Sequence, residues 1–393
     1  MARRALILVE NLSVPFDRRV WQEALALRDA GWEVNVICPQ GGDRDTEPEV
    51  VQEGVRILRY PLRAASGGPL GYLREYVLAL WHTFRLARRV GPVEVVHACN
   101  PPDLLFLVAR LLKRRGARFV FDQHDLVPEL FLSRFAGRKG LLYYALLRVE
   151  RATYRAADVV ISTNESYRAV ALARGRKRPE DVFVVRSAPD LTRFKELAPD
   201  QELRHGKSFL LCYLGVMGPQ DGVDWALRAL AALRDQVGRR DWHAVFMGGG
   251  DCFDSLVELT AELGLTDQVE FTGMMDDAGL LPYLSTADIC LSPDPKSPLN
   301  NVSTMNKVME YMAMGRPIVS FDLKESMVSA REAALYATGN SVAQFAQLIA
   351  KLMDDPAERR RMGELGRARV DELSWDRSRE ALVAAYEAAC ARR

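Results

Sequence analysis

Residues 292–325, SPDPKSPLNNVSTMNKVMEYMAMGRPIVSFDLKE, decide how this chain folds. They read as a strand end, a loop, a short helix and a buried strand, the order that builds a parallel sheet. Met305, Val308, Met309 and Met312 recur at i, i+3, i+4 and i+7. Ser303 and Thr304 are good N-caps, and Gly315 with Pro317 supplies the stop, so the spacing predicts one helix over 304–314.

On that helix Ser303, Lys307 and Glu310 share a face opposite most of the methionines. The first-turn N–H groups and helix dipole attract a phosphate, and Lys307 adds a full positive charge. Glu310 follows about one 5.4 Å turn later, where a carboxylate accepts from vicinal ribose hydroxyls. The same spacing also fits a solvated Lys–Glu surface pair, and the surroundings must decide.

Working outward, strand-like runs alternate with helical ones: ALILVE (5–10), EVNVICP (33–39), VRILRYP (55–61), VEVVHAC (93–99), RFVFDQHD (118–125), DVVISTNES (158–166) and DVFVVRSAPD (181–190). After the polar stretch 197–208 the pattern restarts with FLLCYLG (209–215), HAVFMGGG (243–250), QVEFTGM (268–274), ADICLSPD (287–294), RPIVSFD (316–322) and AALYAT (333–338). This predicts an α/β fold of two doubly wound Rossmann-like domains facing a central cleft, 1–195 and 196–375, with a C-terminal helix at 376–393. Neither half carries GxGxxG after its first strand, which argues against dinucleotide binding of the dehydrogenase kind. Ligands of such sheets bind beyond the carboxyl ends of the strands, which puts residues 11–19, 100–103, 124–129, 215–222, 248–251, 273–276 and 294–304 around the ligand.

A chain of 393 residues, 48% hydrophobic, has material for two ordinary cores. No apolar run approaches the roughly 20 residues of a membrane span, and MARRALILVENLS leads straight into a strand pattern, so cytoplasmic residence is expected. The six scattered cysteines form no CxxC pair and read as buried free thiols, with no metal site expected. The net charge of +1 conceals an asymmetry: residues 1–195 hold 32 Lys+Arg against 22 Asp+Glu, whereas 196–393 hold 21 against 30. The basic half attracts anionic surfaces such as lipid headgroups or pyrophosphates, and no nucleic-acid motif accompanies the charge.

The opening VENLSVPFDRRVWQEALALRDAGWEVNVICP, the HDLVPE turn, the loop YLGVMGPQDGVD and KVMEYMAMGRPIV together resemble the GT-B glycosyltransferases of family 4. The bacterial polysaccharide and O-antigen group is the most similar. The resemblance spans nearly the whole chain. It implies a retaining transferase that moves a hexose or N-acetylhexosamine from a nucleotide sugar to a hydroxyl of a glycan or lipid-linked glycan. The donor is expected on the C-terminal domain and the acceptor on the N-terminal one, with no metal or other cofactor and UDP-sugar favoured over GDP-sugar.

Position by position, Glu310 resembles the second, ribose-binding glutamate of the family's E-x7-E motif, and Lys307 the basic residue three positions earlier. The first glutamate falls at Val302, which shifts the donor-sugar contacts toward Asp294, Asn300 or Asn301. The Arg and Lys that many members place after the first strand of this domain are absent, leaving Gly215 and Gly218 to bring backbone N–H groups to phosphate or simply to turn the chain. Gly249 and Met274 match turns near the nucleotide. In the first half, His124 lies where the family places a histidine beside the transferred sugar. Arg18, Arg19, Asp125 and Glu129 form the acceptor side, although Arg19 also suits an i,i+4 pair with Glu23 and Glu129 a helix start. The catalytic set is therefore His124, Lys307 and Glu310, with Ser303 and Thr304 as phosphate-side caps.

Two basic amphipathic stretches, 70–89 and 130–157, suit either a sheet-packed helix or peripheral contact with an anionic inner-membrane surface. A sugar-nucleotide epimerase and a non-catalytic partner subunit of the same fold are the alternatives to a transferase.

Overall fold

The computed structural model describes every residue except 1–2, 43–44, 63–68, 135–136, 190, 192 and 393, together with the side chains of 69–73. The chain divides into two compact units, Met1–Ser187 with Asp376–Arg393, and Ala188–Trp375. The expected break after 195 thus lies eight residues earlier. Phe194 is the reason, because it is buried in the second unit's core beside Leu210 and Leu284.

In the first unit β1 (Arg3–Leu8), β2 (Trp32–Pro39), β3 (Glu49–Gln52), β4 (Val55–Tyr60), β5 (Val95–Cys99), β6 (Arg118–Gln123), β7 (Val159–Ser162) and β8 (Val182–Val184) form one sheet. Its order is β3-β4-β2-β1-β5-β6-β7-β8, and every pairing is parallel except β3 with β4. Continuous apolar runs such as Leu6–Leu8 and Phe119–Phe121 are what a sheet covered on both faces requires. The helix Trp375–Ala391 belongs to this unit, with Tyr386 fully buried edge-on to Trp32 at 5.1 Å.

In the second unit β9 (Phe209–Leu214), β10 (Trp242–Met247), β11 (Val269–Gly273), β12 (Ile289–Ser292), β13 (Ile318–Phe321) and β14 (Ala334–Ala337) form a wholly parallel sheet. Its order is β11-β10-β9-β12-β13-β14. Leu211, Trp242, Phe246, Leu291 and Phe345 pack in one core cluster, and Cys212, Val245, Met309 and Tyr311 in another. The chain reverses direction across each sheet at one place, between β1 and β5 and between β9 and β12. Beyond the carboxyl ends of those strands the loops splay apart, which is where such sheets hold ligands.

Candidate functional site

In the second unit the switch point carries Lys307. The helix that bears it, Asn306–Ala313, is pinned to both central strands by the buried Tyr311. That hydroxyl accepts from the Leu214 N–H (2.7 Å) and donates to the Leu291 carbonyl (3.2 Å). Lys307 is buried, its Nζ 2.7 Å from Asp294 Oδ1 and 5.0 Å from the centre of the Tyr213 ring. The Ser292 hydroxyl donates to the other Asp294 oxygen at 2.9 Å. Burial alone drives a lysine toward neutrality, yet Asp294, Tyr213 and Asp221 outweigh it and hold Lys307 charged well above its ordinary value. Glu310, partly buried one turn further along, makes no hydrogen bond or ion pair among the described residues. Burial raises its carboxyl, opposed by Arg193 and Lys307.

The loops after β9 and β10 close on each other with little spare room. The Gly215 N–H donates to the Met247 carbonyl (3.0 Å), the Gly248 N–H to Gly273 (2.9 Å) and the Met217 N–H to Gly249 (2.9 Å). Gly215, at φ 153°, leaves only 3.1 Å from a would-be Cβ to Lys307 Cε. Gly248, at φ 137°, would put a Cβ 1.9 Å from the Gly215 carbonyl oxygen. These glycines let the backbone pass against the lysine stem. Met274 stands 75% exposed beside Gly249.

Several sequence expectations need correction here. Ser303 and Thr304 do not cap the helix: it begins at Asn306 behind Met305, after a 3-10 turn at Asn300–Val302, and the Ser303 hydroxyl donates back to the Leu299 carbonyl (2.9 Å). The Gly215 N–H is engaged in the sheet extension and the Gly218 N–H donates to Asp221 Oδ2 (2.9 Å), so neither points free toward an anion. Asn300 holds the Gln220 and Pro295 carbonyls, and Asn301 Oδ1 accepts from the Lys324 N–H (3.0 Å). Asp294 has both oxygens occupied, which makes it the group that positions Lys307.

In the first unit a buried charge network occupies the carboxyl ends of β5 and β6. Arg19 Nη2 lies 2.9 Å from Asp122 Oδ1 and 3.0 Å from Glu23 Oε1, while Nη1 donates to the Val185 carbonyl (2.9 Å). His124 Nε2 contacts Asp122 Oδ2, which also lies 3.4 Å from His97 Nε2. His97 Nδ1 meets the Tyr386 hydroxyl at 2.9 Å. Burial opposes ionisation of Asp122, but Arg19 and His124 outweigh it and hold the carboxyl well below its usual range. Burial and the neighbouring Asp122 push Glu23 the other way, and burial lowers His97. The two neighbouring carboxyls are thus pushed in opposite directions, Asp122 toward its charged form and Glu23 toward its neutral one.

Arg19 is thus held inside this network, with Glu23 at i+4, whereas Arg18 is exposed. Glu129 makes a two-pronged pair with Arg174 (2.6 and 3.0 Å), which also holds Glu150. Asp125 and His124 are set by their backbones, both N–H groups donating to Asn100 Oδ1 (3.1 and 2.7 Å). Burial raises the Asp125 carboxyl. Sequence reasoning missed Asp122 and His97; the available signal was an ionisable residue inside each apolar strand run, whose burial is costly without a partner.

Comparisons with known proteins bear on both units. Residues 17–188 match the model described as "Glycosyl transferase 4-like domain", and residues 208–355 that described as "Glycosyl transferases group 1". The chain is 26% identical over 249 residues to the D-inositol 3-phosphate glycosyltransferase of Nocardia farcinica, a match that covers 59% of this chain and 52% of the relative. It thus spans about half the length of that relative. Among solved structures, sucrose-phosphate synthase from Thermosynechococcus elongatus aligns with a TM-score of 0.81 at 19% identity over 98% of both chains. Anabaena HepE in complex with UDP-glucose aligns with a TM-score of 0.73 at 16% identity over 97% of this chain and 98% of that one.

Proposed function

The chain belongs to the GT-B glycosyltransferases of family 4, and from that premise we propose that the unit Ala188–Trp375 binds a nucleoside-diphosphate sugar, UDP-sugar ahead of GDP-sugar. The enzyme then transfers a hexose or N-acetylhexosamine, with retention, to a hydroxyl of a glycan or lipid-linked glycan in cell-surface polysaccharide assembly. The observation that carries this reading is Lys307 at the β9/β12 switch, charged and locked by Asp294, with Glu310 one turn beyond it and without a hydrogen bond or ion pair among the described residues. A preset cation neutralises the departing diphosphate without reorganising, and a carboxylate at that spacing accepts from ribose hydroxyls. The fold shared with a UDP-glucose complex supports the same ligand class.

His124, oriented by Asp122 and Asn100, presents its ring at the carboxyl end of β6 for the acceptor side, where the charge that develops on the sugar needs a polar neighbour. Arg18 remains the exposed acceptor-side cation. No metal ion or other cofactor enters this scheme.

Among the described residues no helix is long and apolar enough to cross a membrane. The helix Leu141–Ala156 exposes Leu141, Leu142 and Tyr144 next to Arg138 and Lys139, which supports peripheral contact with an anionic membrane from the cytoplasmic side. Flotation with phosphatidylglycerol vesicles tests that contact, and recovery independent of anionic lipid refutes it.

The donor assignment is tested by thermal shift with UDP, GDP, dTDP and ADP, each with and without Mg²⁺. One nucleotide is expected to raise the melting temperature irrespective of Mg²⁺, and Glu310→Ala to abolish the rise. An equal response of wild type and Glu310→Ala overturns the assignment.

A further inference from the structure

A second cluster of metal-ligating side chains lies at the amino ends of β10 and β11, the opposite end of this sheet from Lys307. His243 is the second residue of β10 and Glu270 the second of β11. His205 ends the 3-10 turn Gln201–Arg204 that leads into β9, in a left-handed conformation at φ 47°. Both imidazole Nε2 atoms converge on one carboxylate oxygen, Glu270 Oε2, each at 3.5 Å. One ligand atom from each of the three residues lies within 4.8 Å of the others.

Nitrogen and oxygen ligands at about 2.0–2.2 Å from a tetrahedral ion lie roughly 3.3 Å apart, close to the 3.5 Å from each imidazole nitrogen to the carboxylate oxygen. The remaining oxygen, Glu270 Oε1, accepts from the Tyr283 hydroxyl at 3.2 Å, an outer-shell bond of the kind that orients a ligating carboxylate. The rings of His205 and His243 pack with centroids 4.4 Å apart. His205 is 57% exposed and His243 only 7%, so the cluster opens to solvent on one side. That leaves room for a water as fourth ligand.

We propose that His205, His243 and Glu270 form a site for a borderline divalent transition metal such as Zn²⁺, which ties the segment entering β9 onto β10 and β11. Two imidazoles and one carboxylate suit such an ion, whereas Mg²⁺ and Ca²⁺ prefer oxygen-rich sites. Burial lowers His243 and so favours the neutral ring that metals bind. Lys207, the neighbouring cation, opposes the ion. Among the described residues two further convergent groups, His97–Cys99–Asp122 and Glu23–Asp122–His124, already share Asp122 with Arg19 and serve as internal controls.

The test uses the full chain with Zn²⁺ alone in a metal-buffered titration, and Co²⁺ as a spectroscopic substitute. The expected result is one equivalent of Zn²⁺, a tetrahedral Co²⁺ absorption band, and a melting temperature that rises with Zn²⁺. His205→Ala, at an exposed position, should abolish the band and the thermal rise. Tyr283→Phe should weaken Zn²⁺ binding about 10–100-fold while keeping the stoichiometry. Lys207→Ala should tighten it. Absence of stoichiometric binding by the wild type, or binding that His205→Ala leaves intact, overturns the proposal. Should His205→Ala fold poorly, Tyr283→Phe decides: unchanged affinity refutes the site. None of these readouts involves transferase activity, so the result is independent of the donor assignment.

Discussion

Asp294→Asn is the sharpest test of how Lys307 is held. The two residues are 1% and 8% exposed and meet at 2.7 Å, so the substitution leaves an ammonium in a dry setting with only the Tyr213 ring and the field of Asp221. Removing one partner of a buried ion pair costs about 3–5 kcal/mol. Lys307→Met should cost a similar amount, because Asp294 then keeps only the Ser292 hydroxyl. At about 2–4 °C per kcal/mol for a unit of this size, each single change lowers its melting temperature by roughly 6–20 °C. The double variant removes both charges and should recover most of the loss, giving a large coupling energy.

Nucleotide separates the two single variants. A diphosphate supplies the countercharge that Asp294→Asn removes, so UDP should stabilise that variant more than wild type and Lys307→Met hardly at all. Differential scanning calorimetry with and without UDP reads both effects, provided the transitions of the two units are resolved. Additive losses in the single and double variants refute the buried-pair account. Equal UDP shifts in all variants refute the placement of phosphate at Lys307. The pH dependence has a definite sign: Lys307 is raised on folding, so its contribution is complete below the ordinary lysine value of about 10.4 and is lost as pH climbs further.

Gly248→Ala should destabilise the second unit by about 3 kcal/mol or more, since the methyl would sit 1.9 Å from the Gly215 oxygen at a φ of 137°; a urea titration showing less than about 1 kcal/mol refutes that reasoning. Asp103, buried with Oδ2 unpartnered and Oδ1 accepting from Asn100, is pushed up to about 7 by burial. A raised carboxyl stabilises only while protonated, so wild-type stability should fall as pH rises from about 4 through 7, and Asp103→Asn should flatten that slope; an unchanged slope counts against it. Asp122→Asn should cost about 3 kcal/mol by leaving Glu23 as the only carboxyl against the buried Arg19, and should lower turnover because His124 loses its carboxylate. His124→Gln should lower turnover with a smaller stability loss, and equal stability losses in the two variants would refute the hierarchy.

What the sequence reveals about this molecule follows from how local each signal is. Both sheets could be read because every strand buried on two faces is a short apolar run, and the placing of Lys307 and Glu310 on one helix could be read because their spacing spans a single turn. The strand Glu49–Gln52 escaped, being four residues long, largely exposed and antiparallel to its neighbour, with no apolar run to mark it. The start of the Asn306–Ala313 helix was misread because Asn300 draws the preceding residues into a 3-10 turn by holding the Gln220 carbonyl, a partner 80 residues away. The Arg19–Asp122 pair spans 103 residues, and no periodicity couples its ends. Yet an aspartate inside RFVFDQ is itself informative, because a sheet covered on both faces accepts a charge only where a countercharge arrives from elsewhere in the fold. An isolated buried charge costs far more than the surrounding apolar contacts return, so a buried charge in such a strand forecasts a countercharge. Asp122 has Arg19 and His124, and Asp294, two residues past β12, has Lys307. In both units the residue that interrupts or ends the apolar run holds the cation of the candidate site.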